Sequence, residues 1–185
     1  MSDEQIIQAI IKGDISVFTL LVDKYQTRIF HTVLGFVHSK EDAEDLTQEV
    51  FVNAFQSISS FKGNSGFSTW LFRIAINIAL NHIHKSMRNP LLRFTEELIH
   101  DLFLKSDNSP DPEELMVETE RDLAIRNAID LLPDKQRTAF VLSKYDELSQ
   151  KEIAAVMNTS EGAVEQHLQR AKINLQKKLA FLVGK

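Results

Sequence analysis

Apolar residues recur at steps of three and four along almost the whole 185-residue chain, and no stretch alternates convincingly at period two. A period near 3.6 gathers such residues on one face of a helix, whereas a half-buried strand needs period two. The fold is therefore expected to be all-α. With 43% apolar residues the chain can build packed cores, and its length allows one ordinary domain or two small ones. Its longest apolar stretches, such as residues 18–22 and 139–142, fall far short of the ~20 residues of a membrane span. Cysteine is absent, which excludes disulfides, thiolate metal sites and a cysteine nucleophile. With no signal peptide at the start, this predicts a cytoplasmic protein.

Punctuation divides the helices. Ser2 can cap a short first helix, and a second is expected over about residues 16–37 through Phe18, Leu21, Val22, Tyr25, Ile29 and Val33. Ser39 begins a third, with acids crowded into its first turns as a helix N-terminus prefers. Gly63 and Gly66 break the chain before a fourth over about residues 68–88, and Asn89-Pro90 stops it. Residues 91–110 hold one short amphipathic helix and then KSDNSPDP, which reads as a break. Asp111 before Pro112 starts a helix to about residue 131, followed by others over about 133–145, 149–157 and 160–182. The expected architecture is two small helical domains, residues 1–93 and 123–185, joined by an acidic linker, 94–122.

The net charge of -5 speaks against nucleic acid, because phosphate affinity comes from Lys and Arg. Its distribution speaks the other way. Residues 1–62 carry nine acids against five basic residues, and residues 63–95 carry four basic residues and no acid. Residues 96–122 carry ten acids against two basic residues, and residues 123–185 seven against ten. Two basic blocks thus alternate with two acidic ones.

At the C-terminus, Ser149 can cap QKEIAAVM, Asn158 and Thr159 make a tight turn, and Ser160 caps the last helix. Small Ala154 permits close approach of two helices, and Asn tolerates the left-handed backbone of a sharp turn. The last helix carries Val164, Leu168, Ala171, Leu175, Leu179 and Leu182 on one face. This is the pattern of a helix-turn-helix, whose second helix enters the major groove by its N-terminal residues; an ordinary αα-hairpin would satisfy the same spacing. The outward face offers Glu161, Glu165, Gln166, Gln169, Arg170 and Lys172. Glutamine suits adenine and glutamate can accept from cytosine, so the face is fit for reading bases but poor for backbone affinity.

In the middle, FKGNSGFSTWLFRIAINIALNHIHKSMR joins a loop to a helix. At about 100 degrees per residue, Arg73, Asn77, Asn81, His84 and Arg88 fall within about 40 degrees of one line. The other faces carry Leu71, Ile74, Ile76, Ile78, Leu80, Ile83 and Met87, so the helix is expected to be buried on most sides and to present one acid-free polar stripe. Upstream, Phe61, Lys62, Gly63, Asn64, Ser65, Gly66 and Phe67 combine aromatic, amide, hydroxyl and basic groups. Unstacked bases are held by such groups over a cationic track, which suits single-stranded nucleic acid. Taken singly, Phe61, Phe67 and Trp70 are expected to pack in the core.

The third helix, SKEDAEDLTQEVFVNAF, places Asp42, Asp45 and Glu49 on one flank with Gln48, Phe51 and Phe55 beside it. Leu46 and Val50, with Phe51 at the edge, mark its core side. A solvated face, a metal site without histidine, and a docking surface for a basic partner all fit this pattern.

DAEDLTQEVF, then FKGNSGFSTWLFRIAINIALN, then LPDKQRTAFVLSKYDELSQKEIAAVMNTSEGAVEQHLQRAK resemble, in order, the successive signatures of a bacterial RNA polymerase sigma factor of the extracytoplasmic-function group, in the sigma-70 family. The resemblance covers nearly the whole chain. It implies a transcription initiation factor that binds core RNA polymerase, directs it to promoter DNA and assists opening. Asp42, Asp45, Gln48, Glu49 and Phe51 would dock on the basic coiled coil of the largest polymerase subunit. The loop with Phe61, Lys62, Gly63, Asn64, Ser65 and Phe67 would capture a flipped base of the minus-ten element, with Arg73, Asn77, Asn81, Lys85 and Arg88 along the same element. Ser160, Glu161, Ala163, Glu165, Gln166, Gln169, Arg170 and Lys172 would read the minus-thirty-five element. The acidic linker would thread the polymerase cleft, and an anti-sigma factor is the group's usual regulator. After the valine of the last helix the family often has a basic, a small and another basic residue. Here stand Glu165, Gln166 and His167, so no minus-thirty-five consensus is transferred.

Two rivals remain at this stage. A stand-alone helix-turn-helix regulator with an N-terminal interaction domain predicts specific duplex binding without polymerase. An all-helical enzyme lacks support: the six histidines are scattered, and His82 and His84, the close pair, lie about 200 degrees apart on a helix. No catalytic motif, cofactor or metal site is expected.

Overall fold

The computed structural model describes the backbone of residues 1–88 and 120–183, with the side chains of 1–87 and 121–180. Among the described residues there are eight α-helices and no strand: α1 (Asp3–Ile11), α2 (Phe18–Val37), α3 (Lys40–Ser57), α4 (Phe67–Arg88), α5 (Glu120–Asp130), α6 (Asp134–Lys144), α7 (Gln150–Met157) and α8 (Glu161–Val183). The expected stop at Asn89-Pro90, the amphipathic stretch after it and the helix start at Pro112 lie outside the described residues.

The local signals account for most boundaries. Ser2 Oγ accepts from the Gln5 amide at 3.3 Å while Gln5 Oε1 accepts from the Ser2 amide at 2.9 Å, a reciprocal cap on α1. Ser39 Oγ accepts from the Asp42 amide at 3.2 Å and starts α3. Ser16 does not cap α2. Its hydroxyl donates to Asp14 at 2.6 Å, a 3-10 turn spans Ile15–Val17, and the regular helix begins at Phe18. α2 ends on His38, left-handed at φ 58°, whose amide donates to the Leu34 carbonyl at 2.9 Å.

α2, α3 and α4 pack against one another around Leu21, Ile29, Val33, Phe36, Val50, Leu71 and Phe72, and α1 closes one end with Ile6, Ile7 and Ile10. Asp3 ties α1 down, accepting from Lys24 Nζ at 2.6 Å and from the Tyr25 hydroxyl at 2.5 Å. The second group of helices packs α6 and α7 on α8 around Leu142, Ile153, Val164 and Ala171.

The two groups share one apolar core that runs without a gap from α1 to α8. α2 crosses α6 at Gly35, where an added Cβ would lie 3.0 Å from both Val141 Cγ1 and Tyr145 Cδ2, a tight contact that any side chain there could make only if those two gave way by a few tenths of an ångström. Around this crossing sit polar ties. His38 Nε2 lies 3.1 Å from Asp130, which also pairs with buried Arg137. Burial pulls the Arg137 guanidinium down to about 10, which leaves it charged at neutral pH.

Asp146, 8% exposed, faces Thr32 of α2 with both carboxylate oxygens 2.9 Å from the hydroxyl. That hydroxyl is also 2.9 Å from the Arg28 carbonyl, and its one hydrogen cannot serve both acceptors. A protonated Asp146 resolves the conflict by donating to Thr32 Oγ while Thr32 donates to Arg28. Burial pushes the Asp146 carboxyl up to about 6, against the opposing pull of Thr32, Arg28 and His31. Its ordinary value is 3.8, so between that pH and about 6 the folded chain holds more protons than the unfolded one, and stability falls as pH rises through the window. Asp146→Asn keeps the shape without the charge. In urea titrations at pH 7.5 it should be more stable than the native chain by about 1–3 kcal/mol, and the gap should close by pH 4.

Candidate nucleic-acid interface

The C-terminal pair forms a helix-turn-helix by the expected means. Ser149 Oγ accepts from the Glu152 amide at 3.3 Å, and Glu152 Oε2 accepts from the Ser149 amide at 2.9 Å. The Ser149 hydroxyl and amide hold the Glu152 carboxyl below its ordinary value. Asn158 takes the left-handed turn at φ 51° and ψ 52°, and Ser160 Oγ accepts from the Ala163 amide at 3.2 Å. Ala154 of α7 and Val164 and Ala171 of α8 are buried. This leaves Ser160, Glu161, Glu165, Gln166, Gln169, Arg170 and Lys172 exposed, with Ala163 half-buried at their edge. Gln169 Nε2 donates to Glu165 Oε1 at 3.3 Å, which ties the two side chains together on the exposed face of α8. His167 is half-buried toward α6, and burial, with Lys135 and Arg170 nearby, holds it below its ordinary value.

At the loop before α4, Phe61, Phe67 and Trp70 pack mutually with ring centroids 5.4–5.9 Å apart, and Tyr25 adds a fourth ring at 5.6 Å from Phe67. Phe67 is 3% exposed, so it is a footing of the loop rather than part of its surface. Lys62, Gly63 and Asn64 stand exposed above it, Ser65 is half-buried, and Gly63 adopts φ 70°.

α4 is buried along Leu71, Phe72, Ala75, Ile76 and Ala79, and its stripe presents Asn77, Asn81 and Lys85 to solvent. The expectation of an acid-free polar face needs one correction. Arg73 donates from Nε to the Val156 carbonyl at 3.0 Å and from Nη2 to the Ala155 carbonyl at 2.6 Å, both at the C-terminal end of α7. His84 Nε2 lies 3.2 Å from Asp134 at the start of α6. The stripe thus borders a cleft of about 510 Å³ whose other wall holds Asp134, Asn158, Thr159 and His167. Sequence spacing sees only the acids of one helix; these acceptors come from residues fifty or more positions away. Of Arg88 only the backbone is described.

On α3, Asp45, Gln48 and Glu49 are exposed and Asp42 is half-buried, with its Oδ2 4.0 Å from His82 Nε2. Phe51 turns inward and is 7% exposed, while Val52 and Phe55 continue the outward face. Among the described residues no three His, Asp or Glu side chains converge on a metal position. His82 and His84 face different acids, Asp42 and Asp134.

The model of Sigma-70 region 2 matches residues 21–89, and that of Sigma-70, region 4 matches residues 122–175. The RNA polymerase sigma-H factor of Pseudomonas aeruginosa is 36% identical, over 98% of this chain and 95% of that protein. The chain belongs to the sigma-70 family, in its extracytoplasmic-function group. The ECF RNA polymerase sigma-E factor of Escherichia coli is 34% identical to this sigma factor, over 99% of this chain and 97% of the relative. Among solved structures, CnrH in complex with the cytosolic domain of CnrY shares the fold, at a TM-score of 0.65 and 24% identity over 96% of this chain and 97% of that one. The sigma factor RpoE, in complex with the anti-sigma factor NepR from Bartonella quintana, does so at 0.56 and 21%, over 88% and 96%.

In this sigma factor Glu165 presents a carboxylate on the exposed face of α8, hydrogen-bonded to Gln169. Glu165→Arg should shift the preferred minus-thirty-five sequence by about tenfold in relative occupancy at one or two positions, on the scale of one base contact. Selection from a template library randomised across that element checks it. An unchanged preference would remove Glu165 from the reading set.

Proposed function

We propose that three faces of this sigma factor divide the work of initiation: the exposed carboxylates of α3 hold core RNA polymerase, the loop and stripe of α4 take the minus-ten strand, and α8 reads the minus-thirty-five element. On this reading residues 1–93 dock and melt, residues 94–122 form an acidic linker, and residues 123–185 read the upstream element. As a sigma factor the protein is a promoter-directing transcription initiation factor that binds core RNA polymerase and promoter DNA. No catalytic role is assigned to it.

The observation that carries the division of labour is α4. A helix buried on most sides has few positions left for solvent, and this one fills them with Asn77, Asn81 and Lys85 in continuation of a loop that exposes Lys62, Gly63 and Asn64. Amides and bases without an own acid suit a strand whose backbone is anionic and whose bases offer edges. On α3 the reverse chemistry, Asp45 and Glu49 exposed beside apolar Val52 and Phe55, suits a basic partner with some apolar surface. Phe51, inward and buried, would support that face rather than touch the partner. The relative RpoE was solved with an anti-sigma factor, and by likeness an anti-sigma factor that covers the docking and reading faces is the expected regulator. Among the described residues no helix is long and apolar enough to cross a membrane, and a partner of polymerase works in the cytoplasm.

Core binding and promoter opening should separate by mutation. In vitro transcription with core polymerase, paired with a core-binding titration, should show Asp45→Ala with Glu49→Ala weakening association about tenfold or more, ~1.4 kcal/mol. Asn64→Ala and Asn77→Ala should leave association intact and reduce opening of duplex promoters, with a premelted template restoring the signal. Equal loss of association and opening in the Asn variants would make the stripe structural. Specific duplex binding by the protein alone, with no association with core, would favour a stand-alone regulator instead.

A further inference from the structure

We infer that the cleft beside α4 and the start of α6 is a binding site for a small phosphorylated ligand with a planar, largely apolar body, the chemistry of a nucleoside monophosphate. The inference stands apart from the minus-ten reading of α4. It concerns a free small molecule, and the groups that carry it, Lys135, Thr138 and His167, belong to α6 and α8.

The cleft has the size and the mixed lining of a ligand site. Its volume of about 510 Å³ falls inside the range of roughly 300–1000 Å³ typical of small-molecule pockets. Ile76 and Leu80 from α4 and Val156 and Met157 from α7 give it apolar walls, and a thioether is a favourable neighbour for an aromatic ring. Asn77 lines the same space with an exposed amide, which offers both a donor and an acceptor to the edge of a base.

The anion-binding half is built at the start of α6. This 11-residue helix follows Pro133, which supplies no side-chain cap. The Gln136 and Arg137 amides donate to the Pro133 carbonyl at 2.8 and 2.9 Å, so the Asp134 and Lys135 amides are the ones left without an acceptor among the described residues. Two such amides at the positive pole of a helix suit a phosphate oxygen. Thr138, one turn on, is the independent sign that a ligand belongs there. It is 5% exposed, it lines the cleft, and its hydroxyl has no hydrogen-bond partner among the described residues. A helical threonine can turn back to the carbonyl four residues earlier, as Thr47 does to Ala43 at 2.6 Å, and Thr138 does not. A buried hydroxyl left in this state costs stability until something in the cleft bonds it.

The charges agree. Among the lining residues Arg73 and Lys135 are cations and Asp134 is the one acid, its carboxylate 3.2 Å from His84. Arg73 is fixed by its bonds from Nε and Nη2 to the Val156 and Ala155 carbonyls, which leaves Nη1 to donate. His167 also lines the cleft. Lys135 and Arg170 add to the burial that holds its imidazole below the ordinary value, as a local excess of positive charge does.

Calorimetric titration of the full chain, without polymerase or DNA, tests the site with adenosine, guanosine, cytidine and uridine monophosphate, the four nucleosides and inorganic phosphate. At least one monophosphate should bind at one per chain and shift the His167 ring resonances, with its nucleoside and inorganic phosphate about tenfold weaker or more. Thr138→Val keeps the shape and removes the hydroxyl, and Lys135→Gln removes a charge at an exposed position. Each should weaken that binding about tenfold. Saturable binding by none of the four would overturn the inference. So would binding that both variants leave unchanged, binding that leaves His167 unshifted, or a nucleoside or inorganic phosphate that binds as tightly as the monophosphate. If Thr138→Val does not fold, Lys135→Gln decides.

Discussion

The crossing of α2 over α6 at Gly35 is the contact from which the rest of the arrangement follows. With a side chain there, Val141 and Tyr145 would have to give way by a few tenths of an ångström, in a core packed tightly enough to feel it. Because they do not, Thr32 meets Asp146, His38 meets Asp130, and α4 comes close enough to α7 for Arg73 to span the gap. Each of these ties is modest alone. Buried pairs return in Coulomb attraction roughly what they lose in desolvation, and a carboxyl pushed up to about 6 destabilises its own site at neutral pH. The apolar core beneath them supplies the net stability, and the polar ties fix which residues face which. A seam of this kind holds the two helix groups in one register.

The two surfaces proposed to read DNA differ in charge. The stripe of α4 belongs to a block with no acid in its sequence, which suits an anionic strand. The α8 face sets Glu161 and Glu165 beside Arg170 and Lys172 among its exposed groups, which weakens its attraction for phosphate. In a factor held at the promoter by polymerase, discrimination is the remaining task, and a Glu165 that accepts from Gln169 limits which base edges that amide can meet. The overall charge of -5, which at first speaks against DNA, is the sum of these separate jobs.

Much of this was legible in the sequence because it is local. Capping by Ser2, Ser39, Ser149 and Ser160, the left-handed Asn158 and the narrow stripe of α4 each depend on residues within a few positions of one another. Val164 and Ala171 were expected inward and are inward, and the aromatic trio below the loop packs as a core. The second helix starts at Phe18 rather than about residue 16, because a 3-10 turn over Ile15–Val17 precedes it. The partners of Arg73, His84 and Thr32 could not be read, since they arrive from 50 to 114 positions away and no periodicity encodes them. One signal was present: a glycine inside the second helix is costly unless something passes close by, and Gly35 sits at such a point.

Whether the exposed carboxylates of α3 and the α4 stripe act at separate steps is the question on which the account depends most directly. Permanganate reactivity of thymines in a duplex promoter, compared at equal promoter occupancy for polymerase carrying the native factor and the Asn77→Ala factor, measures it. The account predicts undiminished occupancy with reactivity at the minus-ten element reduced about tenfold. Unchanged reactivity at equal occupancy would contradict it.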